Sequence, residues 1–239
     1  IRAWQNQILQ ATYISKKIQR KYSPTYINAL HVQLSAIFNY AVTYYRLPSN
    51  PAKLAGGIGK TKAHAMKFWT IGQFNQFISS FPADSTEYLV FNLLFYTGMR
   101  SGELLALTLA DFYEKEKSIH INKTYSRLHK KDIITSPKTE KGNRVILLPQ
   151  FIVDMLADYI NRLPYIKQNE RIFPCSKFWL FRHMKLGCKL SGAEQIRIHD
   201  LRHSHASLLI EMVFSPLLIK ERLGYKDIKI TLQTYSHLY

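Results

Sequence analysis

Apolar residues in the N-terminal part of the chain recur at helical spacing. Ser23 and Pro24 mark a helix start, because serine caps an N-terminus and proline fits the first helical position. Pro48 and Pro51 end the pattern, since the residue before a proline is turned away from helical geometry. Residues 1–55 are therefore predicted to form a small helical domain. The apolar stripe consists of Leu30, Leu34, Ile37, Phe38, Ala41 and Val42.

Residues 56–67 have a different composition, in which glycines and lysines replace the apolar stripe. This composition predicts a basic linker between two domains. Two roles stay open for its lysines, which suit either a solvated linker or a strap that crosses a DNA backbone. The residues in and just before this segment are Lys53, Gly56, Gly57, Gly59, Lys60, Lys62 and Lys67.

From residue 68 onward the pattern mixes helical and strand spacing. A strand is predicted over 118–125, and a hairpin is predicted to pair 132–136 with 143–148 around the polar turn 137–142. Residues 68–239 thus form a mostly helical second domain, and the predicted fold is mainly α with a small antiparallel β-sheet. The predicted helices cover 70–81, 86–97, 101–109 and several segments from 151 to 239.

The charge balance points to a polyanionic partner. Lysine and arginine number 33 against 16 acidic residues, which gives a formal charge of +17 and a pI near 9.8. A membrane surface is the weaker candidate, because the longest apolar region, 88–96, is interrupted by Asn92 and is too short to span a bilayer. Nucleic acid is the favoured partner.

The cysteines indicate the redox environment of the protein, and the first residue indicates how the chain relates to the full protein. Cys175 and Cys188 do not form a Cys-x-x-Cys pair, so a structural zinc site is disfavoured and reduced cytosolic thiols are expected. The chain begins at Ile1 without an initiator methionine, and it is expected to be a fragment of a longer protein.

Four short motifs supply the residue types that attack a phosphodiester. Two arginines can neutralise a phosphate as charge builds, and a tyrosine hydroxyl can act as the nucleophile. The motifs are Thr97-Gly98-Met99-Arg100-Ser101-Gly102-Glu103, His199-Asp200-Leu201-Arg202-His203, Arg222-Leu223-Gly224-Tyr225 and Thr234-Tyr235-Ser236-His237. Together they resemble the tyrosine recombinase (phage integrase) family, and in particular integrases of mobile elements from Gram-positive bacteria. The resemblance covers nearly the whole chain.

The resemblance implies a role for each catalytic residue. Arg100 and Arg202 grip the scissile phosphate, and His199 accepts the tyrosine's proton or hydrogen-bonds the phosphate. Tyr235 attacks phosphorus, becomes linked to the 3′ phosphate and releases a 5′ hydroxyl. A 5′ hydroxyl from the partner duplex then reverses the reaction. Because one phosphodiester replaces another, the resemblance implies that neither ATP, a metal nor another cofactor is needed.

Further residues are expected to support this site. Glu103 lies at the i,i+3 position from Arg100 and can hold its guanidinium. Lys138 resembles the family's catalytic lysine, which protonates the departing 5′ oxygen, and Lys141 is its rival. Tyr225 departs from the family, which usually has histidine or tryptophan there, but its ring and hydroxyl preserve packing and one donor. Tyr239 is expected to be a packing anchor.

A metal site is the competing interpretation of the histidine cluster. His199 and His203 have the i,i+4 spacing that suits a metal, with His205 and Asp200 nearby. Two features disfavour it, since no glutamate follows His199 and Arg202 within the cluster would repel a cation.

The resemblance also implies partners. Two domains would form a C-shaped clamp on double-stranded DNA, and four protomers on two recombination sites would exchange strands through a Holliday junction. The free protein is expected to be a monomer in the bacterial cytoplasm, associated with the nucleoid and not with a membrane, and an excisionase or DNA-bending protein is a candidate accessory partner. The residues expected to contact DNA are Lys16, Lys17, Arg20, Lys21, Thr25, His31, Gln33, Lys60 and Lys62.

Two alternatives remain open from the sequence. A type IB topoisomerase uses similar chemistry on one duplex as a monomer, although the tight motifs around Arg100 and Arg202 point away from it. A catalytically weakened DNA-binding regulator of the same family is the other alternative, and Tyr225 is the feature that favours it.

Overall fold

The chain divides into two units, Ile1–Ala65 and Met66–Tyr239. In this computed structural model the described residues are 1–15, 17–61, 67–137 and 140–235. No helix among them is long and apolar enough to cross a membrane. The predicted fold class, mainly α with small antiparallel sheets, is confirmed.

Helix caps fix the helices of the first unit. The long helix α2 begins where the sequence predicts, because the Ser23 hydroxyl accepts the backbone N–H of Tyr26 at 3.2 Å. The Asn50 side chain caps α3 in the same way, accepting from the backbone N–H of Ala52 at 2.9 Å and of Lys53 at 3.2 Å. The helices are α1 (Arg2–Gln10), α2 (Pro24–Tyr44) and α3 (Pro51–Ala55).

A β-hairpin interrupts this helical unit, and the sequence pattern did not predict it. Strands β1 (Thr12–Ser15) and β2 (Ile18–Lys21) pair antiparallel. Nearly every residue in both strands is exposed, so no alternation of apolar and polar residues marks them. The rings of Tyr13, Tyr22 and Tyr26 stack in sequence, with centroids 5.1 Å apart at each step, and tie the hairpin to the first turn of α2.

The first part of the predicted linker packs against the first unit. Lys60 donates its backbone N–H to the carbonyl of Pro24 at 3.0 Å, and the Asn28 amide donates to the carbonyl of Ile58 at 3.2 Å. Gln5 donates to the carbonyl of Gly56 at 2.7 Å. Residues 56–60 are therefore held in place, whereas 62–66 lie outside the described residues.

Helices build the core of the second unit. The predictions over 70–81 and 86–97 are confirmed, although the first helix ends at Ile78. The predicted helix over 101–109 is only one turn long, because the Thr108 backbone N–H and hydroxyl bond Asp111 at 2.8 Å and begin a 3₁₀ turn. The helices are α4 (Ile71–Ile78), α5 (Thr86–Thr97), α6 (Ser101–Leu104), α7 (Gln150–Arg162), α8 (Lys177–Ser191), α9 (Asp200–Glu211), α10 (Pro216–Leu223) and α11 (Ile228–Tyr235). Their core includes Trp69, Phe74, Phe77, Phe91, Phe95, Leu104, Phe173 and Leu201.

The strands form two separate sheets. The five strands are β3 (Phe112–Tyr113), β4 (Ser118–Ile121), β5 (Thr124–Leu128), β6 (Lys131–Thr135) and β7 (Arg144–Leu147). Order β3-β4-β7 makes one sheet, and β5 pairs β6 in the other. The single strand predicted over 118–125 is thus two strands. The chain turns between them because Asp111 accepts from Asn122 at 2.9 Å and from Lys123 at 2.8 Å.

The predicted hairpin of 132–136 with 143–148 is wrong. β6 pairs with β5 because His129 and Lys130 both adopt left-handed backbone conformations, at φ 48° and 64°, and make a two-residue turn without glycine. β7 pairs instead with β4, where Ile146 opposes Ile119 in the core. Residues 136–143 therefore connect two different sheets.

Candidate active site

A left-handed glycine shapes the turn that presents Arg100. Helix α5 ends at Gly98, whose φ is 63°, and a Cβ there would lie 2.6 Å from Cδ2 of His205. Glycine is needed at this position for both reasons. Arg100 follows two residues later at the N-terminus of α6, with its side chain 41% exposed.

A buried carboxylate anchors Arg100. Glu103 is 4% exposed; its Oε1 lies 2.7 Å from Nη1 of Arg100, and its Oε2 accepts the Arg100 backbone N–H at 2.9 Å. Burial by itself would raise the pKa of Glu103, but the hydrogen bonds and charges of Arg144 and Arg100 hold it below its usual value. The predicted pairing of Arg100 with Glu103 is present in the structure.

Arg144 completes this network, a role that the sequence does not predict. Its Nη2 donates to Oε2 of Glu103 at 2.9 Å, and its Nη1 reaches Oε1 at 3.2 Å. The same guanidinium donates through Nε to the carbonyl of Arg222 at 2.9 Å. The guanidinium is buried, although the sequence Arg144-Val145-Ile146-Leu147 carries no alternation that marks it. Arg144 thereby joins α6, β7 and α10.

Arg202 contacts the Gly98 turn from helix α9. It is 1% exposed, and its Nη1 donates to the carbonyl of Gly98 at 2.8 Å, while Nη2 donates to the carbonyl of Leu223. Its guanidinium carbon lies 4.7 Å from the ring centre of Tyr225. Burial lowers the pKa of Arg202, and the charge of Arg100 acts in the same direction. The two predicted arginines are therefore brought to one turn, with Arg100 reaching solvent and Arg202 beneath the surface.

The histidines of the second motif lie in distinct settings. His199, at the N-terminus of α9, is exposed, yet its pKa is lowered by partial desolvation and then by Arg202 and Arg100. His203 lies one turn later, with its ring centre 5.3 Å from that of His199 and nearly perpendicular to it. Burial, followed by His199, lowers the pKa of His203 to about 4.

Tyr235 is fully buried at the end of the last described helix. Its hydroxyl oxygen lies 2.7 Å from Nδ1 of His203. Burial, with Tyr225 nearby, raises the pKa of the Tyr235 phenol. Tyr225 is half-buried and packs on the same apolar cluster, as expected of a residue beneath this helix. The cluster consists of Ala206, Leu209, Ile210, Ile219, Leu223 and Tyr235.

His205 and Arg222 hold α9 and α10 together. Arg222 donates through Nε to Nε2 of His205 at 2.9 Å, and through Nη2 to the carbonyls of Tyr96 and Leu147, each at 3.1 Å. Burial, with the charge of Arg144, lowers the pKa of Arg222 to about 10. This pair is a structural element beside the site.

The metal interpretation of the histidine motif requires several ligands that converge on one point, and no such cluster lies in the part of the chain that the structure describes. No group of three or more histidine, cysteine, aspartate or glutamate side chains is placed there to hold an ion. His205 faces Arg222, and Asp200 accepts from Nη2 of Arg197 at 2.7 Å.

Lys138 lies outside the described residues, and its rival Lys141 is exposed in the 3₁₀ turn Glu140–Gly142. The segment connects β6 to β7, so the expected hairpin turn around Lys138 is absent from the strand pairing described above. Tyr239 also lies outside the described residues.

The predicted DNA-contact residues of the first unit differ in exposure. Thr25 is half-buried, and His31 is 7% exposed, so His31 does not present its ring at the surface as expected. Lys16 and Lys62 lie outside the described residues. The exposed members of the set are Lys17, Arg20, Lys21, Gln33 and Lys60.

Residues 65–239, which contain all of these motifs, match the model of the phage integrase family. The chain belongs to the phage integrase family. It is 33% identical over 228 residues to the ICEBs1 integrase of Bacillus subtilis (strain 168), covering 89% of this chain and 61% of that protein. It is 28% identical over 273 residues to the integrase of Staphylococcus phage L54a, covering 93% and 76%. The chain thus spans about three fifths of the length of the Bacillus relative.

Solved structures share the fold of this family member. The Tn1549 transposon integrase in complex with circular intermediate DNA superposes with a TM-score of 0.74 at 22% identity, covering 90% of this chain and 76% of that one. A lambda integrase dimer bound to a core site gives a TM-score of 0.60 at 17% identity, covering 88% and 59%. These similarities confirm the tyrosine recombinase architecture of the fold.

Proposed function

We propose that this chain is the DNA-binding and catalytic part of a site-specific recombinase that integrates and excises a mobile genetic element. One observation supports this most directly. The only residue in the last motif with a nucleophilic phenol, Tyr235, lies on a helix packed against α9, which carries His199, Arg202 and His203. The family match and the DNA complexes of the structural relatives agree with this proposal.

The proposed reaction uses the residues in sequence. Arg100 and Arg202 spread positive charge over the non-bridging oxygens of the scissile phosphate, and His199 hydrogen-bonds it. Tyr235 attacks phosphorus to give a 3′-phosphotyrosyl bond, while Lys138 protonates the departing 5′ oxygen. A 5′ hydroxyl from the partner duplex reverses the step. One ester bond replaces another at each stage, so the reaction needs no ATP.

Arg202 retains a donor for such a phosphate. Its Nε–H is buried and has no hydrogen-bond partner among the described residues. An unpaired buried donor of a charged group costs free energy, of the order of 1–3 kcal/mol. A phosphate oxygen that reached this nitrogen would remove that cost, and binding of the scissile phosphate would therefore be favoured at Arg202.

The first unit is proposed to bind the core of the recombination site. The exposed cations Lys17, Arg20, Lys21 and Lys60 suit contacts with DNA phosphates. We assign residues 1–55 to core-site binding, 56–67 to the basic linker and 68–239 to catalysis. The free protein is a cytoplasmic monomer in this proposal, and a tetramer forms on two duplex sites, assisted by an excisionase or DNA-bending protein.

A suicide substrate tests the proposal. The duplex carries a nick near the cleavage point, so that the released fragment diffuses away and the covalent complex accumulates. The wild type is expected to form an adduct that survives denaturation, in EDTA as well as in magnesium. DNA affinity should fall steeply with salt, because so basic a protein displaces many condensed counterions. Specific binding without any adduct would contradict the recombinase proposal.

A catalytically weakened DNA-binding regulator is the second candidate. Tyr225, the departure from the family's usual residue, favours it, since a phenol differs from imidazole and indole in reach and acidity. The same substrate separates the two candidates, because a regulator binds the site without accumulating the covalent complex.

A further inference from the structure

The hydroxyl of Tyr235 contacts His203 and not the histidine that the motif resemblance selects. Oη of Tyr235 and Nδ1 of His203 are 2.7 Å apart, and the two ring centres are 5.8 Å apart. His199, by contrast, is exposed and makes no hydrogen bond to Tyr235 among the described contacts. It packs edge-on against the ring of His203. The hydroxyl oxygen of Tyr235 therefore lies beside His203, with Tyr225 as its other polar neighbour.

The protonation states of the two groups allow Tyr235 to be the donor in this hydrogen bond. His203 is neutral at pH 7, because burial and the neighbouring His199 lower its pKa to about 4. The Tyr235 phenol keeps its proton, because burial raises its pKa. A neutral imidazole offers a lone pair on one nitrogen, and in the tautomer with its hydrogen on Nε2 the Nδ1 atom accepts the hydroxyl hydrogen of Tyr235. The other charged groups around His203 are Asp200, Arg202 and Arg197.

We propose that His203 is the general base that takes the proton of Tyr235 during DNA cleavage. The inference rests on the recombinase function proposed above. As the Oη–phosphorus bond forms and the bond from phosphorus to the 5′ oxygen breaks, the phenol proton moves to Nδ1 of His203. The 5′ oxygen receives a proton from the general acid, for which Lys138 is the proposed residue. Rejoining reverses both transfers, and His203 returns the proton to the tyrosine oxygen.

Bound DNA strengthens this base. An imidazole with a pKa near 4 accepts a proton poorly in the free protein. The scissile phosphate brings a negative charge close to His203, and a nearby opposite charge favours the imidazolium form. His203 thus becomes a stronger base when a substrate is in place, and Tyr235 stays protonated and inert when the site is empty.

A pair of substitutions separates proton transfer from simple positioning. His203→Asn places an amide oxygen near the position of Nδ1, where it can accept the hydrogen bond but cannot take the proton. His203→Ala removes both functions. Under single turnover on the suicide substrate, we expect both variants to be slowed to a similar extent, about 10²–10³-fold. A His203→Asn rate within about 3-fold of the wild type would overturn the proposal, because the hydrogen bond alone would then suffice.

A modified substrate distinguishes a base from an acid. A sulfur in place of the bridging 5′ oxygen makes a leaving group that needs no proton. This substrate should restore the cleavage rate of Lys138→Ala but leave the His203 variants slow. If it restored the cleavage rate of the His203 variants instead, His203 would be the general acid and the proposal would be overturned. His199→Asn is the matched control on the same helix face, and it should keep more activity than His203→Asn. Equal or greater loss in His199→Asn, with His203→Asn near wild type, would return the base role to His199.

The wild type provides a measurement that does not depend on the variants folding. On the sulfur substrate its cleavage rate should rise with pH and level off as one group loses its proton. Because the bound phosphate raises the pKa of His203 above about 4, a rate independent of pH from 4 to 8 would contradict a histidine base. If the wild type forms no adduct at all, the recombinase proposal itself fails; if it does and only the His203 results disagree, the failure is confined to this inference.

Discussion

Arg202 donates a hydrogen bond to the carbonyl oxygen of Gly98 at 2.8 Å. This contact joins the buried arginine of α9 to the turn that presents Arg100 two residues later. The two arginines that we propose to bind the phosphate are therefore positioned by a common backbone segment, and changes in the turn are expected to disturb both.

The Gly98 turn should tolerate no side chain. Gly98→Ala forces a left-handed φ on alanine and places its Cβ 2.6 Å from His205. We expect the free energy of unfolding to fall by about 1–3 kcal/mol, with slower cleavage as well. Chemical denaturation measures the change. Gly57→Ala is the matched control, since Gly57 has no neighbour within 4 Å and no left-handed φ, and a loss equal to that of Gly98→Ala would contradict this account.

Glu103 should support both stability and cleavage. Glu103→Gln removes the charge that holds Arg100 and Arg144, leaving two guanidinium groups without their carboxylate. We expect the free energy of unfolding to fall by about 1–3 kcal/mol and the cleavage rate by about 10- to 100-fold. Glu114→Gln, at an exposed turn position, should change neither. Unaltered cleavage in Glu103→Gln would show that Arg100 does not depend on this carboxylate.

Substitution of Arg100 or of Arg202 should slow cleavage to a similar extent but should lower the free energy of unfolding by different amounts. Arg100→Ala and Arg202→Ala are each expected to slow cleavage by at least ~100-fold, the order for removing one charge-stabilising donor. The free energy of unfolding should change by about 1 kcal/mol or less in the first variant, whose side chain is 41% exposed. In the second it should fall by more, about 2–5 kcal/mol, because the substitution leaves a cavity and strips the carbonyls of Gly98 and Leu223 of a buried donor. Thermal melts and single-turnover cleavage rates of the two variants test this prediction. Equal losses of unfolding free energy would contradict it.

Lowering the pH should reduce the free energy of unfolding, because the folded protein holds His203 in its neutral form. Its pKa falls from 6.5 in the unfolded chain to about 4 in the folded protein, so the folded state binds its proton less readily. The stability that neutral His203 contributes is complete above about pH 6.5 and is lost as the pH falls from there towards 4. Denaturation midpoints of wild type and His203→Asn across this range measure the effect. The variant should lose less stability than the wild type, and identical slopes would contradict the assignment.

The sequence predicted best those features that depend on residues close together in the chain. The Ser23 cap, helix α5 and the Arg100–Glu103 pair follow from spacings of a few residues and are confirmed. Predictions that required a long-range partner fared worse. Strand β6 pairs with β5 and not with 143–148 as predicted. The turn between β5 and β6 carries no sequence signal, because neither His129 nor Lys130 is the glycine or asparagine that usually marks a two-residue hairpin turn.

The site shows the same division. Arg144 was missed because its partner Glu103 lies 41 residues away, and nothing in its local sequence distinguishes it from other arginines. The contact of His203 with Tyr235 spans 32 residues and emerges only when α11 packs on α9. The first hairpin, Thr12–Lys21, buries too little for its residues to show a strand pattern.

The identity of the nucleophile is the most direct test of the proposed chemistry. On the nicked suicide substrate, Tyr235→Phe should form no covalent complex while binding the site almost as tightly as the wild type, because only the attacking oxygen is lost. Tyr225→Phe, the nearest matched control, should still form the complex, and digestion of the wild-type adduct should yield DNA attached to the peptide that contains Tyr235. A denaturation-resistant adduct in Tyr235→Phe, or DNA attached to a peptide containing Tyr225 or Tyr239 instead, would contradict the account.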